Sequence, residues 1–141
     1  MNNKMFKWET KIEYEYRLET GKLTTSIANA LNSMEEIATS GNLDYSKISD
    51  TLYNCYRNIK YIISPSIYEE AHKYLFEAIK IYKRGIEILV VAVEKKDAKG
   101  MYKANRFIEE GNCFIKITKV RLWESIEKRN EELKNDKPGN L

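Results

Sequence analysis

The chain has 141 residues, enough for one domain with a self-sufficient core. Apolar residues make up 43% of it and charged residues 32%, a balance that argues against a disordered chain. The net charge of +3 is weak, and only residues 69–121 lean basic, with twelve cationic side chains against eight anionic. A dedicated nucleic-acid binder usually carries a stronger, clustered excess.

The first predicted helix covers residues 4–40. Trp8, Ile12, Tyr16, Thr20, Leu23, Ile27, Leu31 and Met34 recur in steps of three and four and share one face. Gly21 is its weak point, and Gly41 supplies a residue that tolerates left-handed geometry and ends it. The second helix covers 44–63, with Asp44 as its N-cap and Pro65 as its stop. Its apolar face reads Ile48, Leu52, Cys55, Ile59 and Ile62.

The third helix covers 66–95. Ser66-Ile67-Tyr68-Glu69 fits a capping box at its start. The stretch from Ile86 to Val93 is apolar on nearly all sides, so this helix is expected to be the most buried. The fourth helix covers 97–134, opened by Asp97 and decaying into charge pairs beyond Ile126. Its apolar face reads Met101, Ala104, Ile108, Gly111, Ile115, Leu122 and Ile126, widened by Phe107, Phe114 and Ile117. Residues 135–141 read as a flexible tail.

These elements define an all-α fold: one antiparallel four-helix bundle of uneven helix lengths. Connections of about 2–6 residues force neighbouring helices to run antiparallel. Up-down-up-down order brings Trp8 and Trp123 to one end, where the two indoles are expected to close the core together. A long helix must overhang the short second one, and an overhang is a place for a partner or a second subunit.

Chemistry-bearing groups are sparse. Glu69-Glu70-Ala71-His72 has the Glu-x-x-His spacing of di-iron bundles, but His72 is the single histidine and those sites need two such motifs. Glu69 also has a capping role. Cys55 and Cys113 make neither a CxxC pair nor a disulfide framework, and each reads as a small buried hydrophobe. No nucleophile, base and orienting group assemble from the sequence, so no catalytic residue, metal or cofactor is assigned and the chain reads as non-enzymatic.

Three surfaces remain. Ten tyrosines are the leading feature, because tyrosine offers large area, few rotamers and one hydrogen bond at interfaces. Tyr53, Tyr61 and Tyr68 cluster near the second-to-third helix corner and form the favoured protein-binding patch. Lys96, Lys99, Lys103 and Arg106 make a stripe at the next corner, with Tyr102 beside it, that suits phosphate. Gly85 and Gly111 sit inside helices against propensity, with polar Asn112 adjacent, which marks close helix approach or a small-ligand cavity.

The expected function is that of an adaptor or inhibitor acting through a protein partner or a second copy. A nucleic-acid accessory role and a small-ligand role are the alternatives. The frequent Lys, Asn, Ile, Glu and Tyr match what AT-rich bacterial and phage or mobile-element genomes encode. Met1 to Glu9 has no apolar signal-peptide core, and the longest apolar run, Ile88 to Val93, is far short of the ~20 residues of a membrane span. The expected compartment is therefore cytoplasmic.

Overall fold

A computed structural model describes residues 4–135. The rest of the expected tail, 136–141, lies outside the described residues. Four helices account for most of it: α1 (Lys11–Ser40), α2 (Ser46–Tyr61), α3 (Glu69–Glu94) and α4 (Ala98–Asn135). A short 3-10 turn, Ser66–Tyr68, precedes α3. The all-α class and the uneven lengths of 30, 16, 26 and 38 residues follow the expectation. No helix among the described residues is long and apolar enough to cross a membrane.

The starts of the helices differ from expectation, each for a local reason. α1 begins at Lys11, not Lys4, because Thr10 and Glu13 form a reciprocal capping box. The Thr10 hydroxyl accepts from the Glu13 amide at 3.1 Å, and the Glu13 carboxylate accepts from the Thr10 amide at 2.8 Å. Residues 4–10 are thereby freed to run as a non-helical strap. At α2, Tyr45 takes the N-cap position because its ring is buried in the core, while the Asp44 carboxylate accepts from the Ser46 amide at 3.0 Å. No capping box forms at Ser66, where the chain takes its 3-10 turn instead. Gly41 ends α1 in left-handed geometry, as expected.

α3 lies at the centre. Leu75, Ala78, Ile79, Tyr82 and Ile86 are essentially inaccessible and pack with Leu52, Ile59 and Ile27. Paired contacts show that α2 and α4 both run antiparallel to α3. Tyr56 meets Phe76 and Tyr53 approaches Lys83 on one side. On the other side, Gly85 faces Phe107 and Tyr82 covers Gly111. A second, smaller core gathers Tyr16, Tyr68 and Ile126 with Phe6, Trp8 and Leu122 from the strap and from α4.

Glycine makes the α3–α4 contact possible. A Cβ on Gly85 would stand 2.9 Å from the Phe107 Cβ and 3.2 Å from the Ala104 carbonyl oxygen. One on Gly111 would stand 2.6 Å from the Tyr82 ring. Gly21 is the contrasting case, with nothing within 4 Å.

Gly85→Ala is therefore expected to destabilise by about 1–3 kcal/mol, because backbone and a Cβ must move to admit a methyl group. Gly21→Ala is expected to stabilise by up to about 1 kcal/mol through helix propensity alone. Urea unfolding of both variants checks the opposite signs.

Candidate interaction surfaces

Beneath the second-to-third helix corner lies a buried polar cluster that the sequence pattern did not reveal. The strap places Glu9 against Arg17 of α1, both buried. The Arg17 guanidinium donates to both Glu9 carboxylate oxygens, at 2.7 and 2.8 Å, and to the Lys4 carbonyl at 2.7 Å. It also lies 4.3 Å from the centre of the Phe6 ring. The Tyr68 hydroxyl donates to Glu9 at 2.6 Å, and the Phe6 amide donates at 3.2 Å.

Burial opposes the charge on Glu9. The hydrogen bonds from Arg17 and Tyr68 outweigh burial and hold the carboxyl below its ordinary value. Burial and the Glu9 contact push the Tyr68 phenol up, so it stays a neutral donor. The signal for this cluster was the Thr10-Lys11-Ile12-Glu13 capping motif, which starts the helix seven residues inside its expected beginning and leaves the strap free to fold over Arg17.

That cluster corrects the tyrosine patch. Tyr68 is fully buried and is a core residue, not part of a docking surface. Tyr53 and Tyr61 do face solvent, at 50% and 85% exposure. Arg57 lies between them at i,i+4 spacing, 5.8 Å from the Tyr53 ring. Lys83 of α3 approaches both Tyr53 and Tyr56, at 5.9 and 5.1 Å. The resulting face is aromatic and cationic.

His72 is engaged elsewhere. Its Nδ1 meets the Tyr16 hydroxyl at 2.8 Å, and burial pulls its pKa below the ordinary value. No group of three metal-ligating side chains occurs among the described residues. Lys96, Lys99, Lys103 and Arg106 are all exposed at the third-to-fourth corner, and none forms an ion pair among the described residues.

Of the two readings of Gly85 and Gly111, close helix approach or a small-ligand cavity, the structure shows close approach at both. Asn112 alone of that group lines an open groove of about 580 Å³ between α1 and α4, with Ile27, Leu31, Tyr82 and Ile115. The Tyr82 hydroxyl donates to the Asn112 carbonyl oxygen at 2.5 Å, and burial pushes that phenol up to about 12.

The outer face of α4 holds three further corrections. Trp123 points outward at 60% exposure and does not join Trp8 in closing the core. Trp8 instead donates to Asn130 at 2.6 Å and stacks on Phe6. Cys113 is exposed where it was read as buried, while Cys55 is buried as expected. Ile117 and Val120 face solvent beside Trp123. No protein family, curated protein or solved structure matches the chain.

Removing Glu9 leaves Arg17 buried without its carboxylate. Glu9→Gln is expected to cost about 3–5 kcal/mol in urea unfolding. Because folding lowers the Glu9 pKa, its contribution is complete above the ordinary carboxylate value and disappears as pH falls through the lowered one. The wild type should therefore lose stability on acidification more steeply than Glu9→Gln, measured as the urea midpoint against pH.

Proposed function

We propose that this protein works by protein–protein contact and not by catalysis, as an adaptor or inhibitor that presents the face around Tyr53, Arg57 and Tyr61 to an acidic partner. The observation that carries the reading is the exposure of two tyrosines on either side of an arginine along one helix. Tyrosine in such a setting contributes apolar area with little rotamer entropy lost. Arg57 and Lys60 have no ion-pair partner among the described residues, whereas Lys80 and Lys83 already hold Glu77 and Glu87 at 3.3 and 2.6 Å. Carboxylates of a partner are the groups that complete this surface.

A second reading rests on the exposed Lys96, Lys99, Lys103 and Arg106, with Tyr102 exposed beside them. Nucleic acid is the ligand that suits such a stripe. The two readings separate by mutation. The protein partner retained from lysate, titrated against purified variants, should bind at least ~30-fold more weakly to Tyr61→Ala and Arg57→Glu, the penalty typical of a hot-spot residue. Its affinity should be unchanged by Lys99→Glu combined with Lys103→Glu. Equal binding to all variants overturns the first reading. Oligonucleotide binding that weakens steeply with salt and is lost only in the lysine variant favours the second.

A further inference from the structure

α1 leans on α2 and stands off α4 through the middle of the bundle. Trp8 reaches Asn130 and Tyr16 packs with Ile126, so α1 and α4 run antiparallel. Thr24 therefore lies at the level of Lys119, and Met34 at the level of Ile108. Between these two levels the groove of about 580 Å³ stays open. That volume lies in the range of small-molecule sites, which commonly fall between the helices of a bundle. Ile27, Leu31, Met34, Ile108 and Ile115 supply its apolar lining. Leu31, Met34 and Ile115 are only half-buried, because α1 does not close over them.

The groove is polarised along its length. Lys119 is its one charged lining residue, and no carboxylate lines it. Lys119 makes no ion pair among the described residues. Glu19, the nearest carboxylate before Thr24 in sequence, is already held by Lys22 at 3.5 Å. Glu35 follows Met34 at the opposite end. An anionic head group is thus drawn to the Lys119 end and repelled from the other. Midway, the Asn112 carbonyl oxygen is taken by the Tyr82 hydroxyl at 2.5 Å, which leaves the amide hydrogens as donors. From Ile108 to Lys119 the groove runs about 16 Å. A helix of that length is a cylinder of roughly 1,300 Å³ and is too bulky for the space. One extended aliphatic chain is not: at ~1.25 Å per carbon, about twelve carbons span the same length.

We propose that the α1–α4 groove binds a linear aliphatic carboxylate, with its head on Lys119 and its tail along Ile115, Leu31 and Met34. The tail displaces water from side chains that the bundle itself leaves half-covered, and each methylene that enters strengthens binding until the chain reaches Ile108. The ion pair orients the ligand more than it holds it, because Lys119 is exposed. The groove shares no residue with the Tyr53, Arg57 and Tyr61 face and does not depend on what that face binds.

Calorimetric titration of the full chain with octanoate, decanoate, dodecanoate and tetradecanoate, each below its micelle concentration, tests the assignment. Affinity is expected to rise about two- to fourfold per methylene up to dodecanoate and to gain little beyond it. Dodecyltrimethylammonium, with the same tail and the opposite charge, should bind about tenfold more weakly than dodecanoate. Lys119→Glu should reverse that preference. Ala28→Trp, which fills the groove from its α1 wall, should abolish binding of both. Ala28 and Lys119 are exposed, so circular dichroism of both variants should match the wild type, and Lys119→Glu decides the matter if the tryptophan disturbs the helix. Absence of dodecanoate binding overturns the proposal. So does equal affinity for the two head groups, or binding that Ala28→Trp leaves intact in a folded chain. A second copy in the groove, seen by sedimentation as a dimer that Ala28→Trp dissociates, overturns it as well.

Discussion

The close approach of α3 and α4 at Gly85 and Gly111 is the constraint on which the rest of the structure depends. With the Phe107 Cβ and the Ala104 carbonyl pressed against Gly85, α4 has little freedom to roll about its axis. The Tyr82 ring over Gly111 holds the same orientation one helical segment further along. Once Ala104, Ile108 and Gly111 face inward, geometry decides where the other apolar residues of α4 point. Cys113, Val120 and Trp123 belong to the far side, and no packing choice elsewhere in the chain can bring them in. The exposed face of α4 is a consequence of how α4 is seated on α3.

The strap works at the opposite end of the molecule by a different kind of force. A buried carboxylate–guanidinium pair gains little net stability over an apolar pair of similar shape, because both ions lose water. What it supplies is a single answer. The Glu9 carboxylate accepts from the Arg17 side chain on α1, from Tyr68 before α3 and from the Phe6 amide within the strap. In this one placement of residues 4–10 all of these groups are satisfied at once. The ring of Phe6 over the guanidinium and of Trp8 over Phe6 then cover the charge.

Helix number, order and the centrality of α3 were legible because they rest on apolar period and on strong local breakers. Gly41 and Pro65 do the same work in the fold that they do in the sequence. What was not legible depended on pairing across the chain. Nothing local tells Tyr68 that a carboxylate fifty-nine residues earlier will meet its hydroxyl. Trp123 reads as core by type, and only the rotation of α4 sets it outside. Ile12 is the same case on α1, exposed although it keeps the helical period of its neighbours. The capping motif at Thr10 was local and readable, but it competed with a helical period that runs through Trp8. Capping decided the boundary because a reciprocal pair satisfies two orphan amides at once. Of the candidate surfaces, Tyr53, Tyr61 and the lysine stripe were legible because exposure on a short or terminal segment follows from their distance to the apolar face.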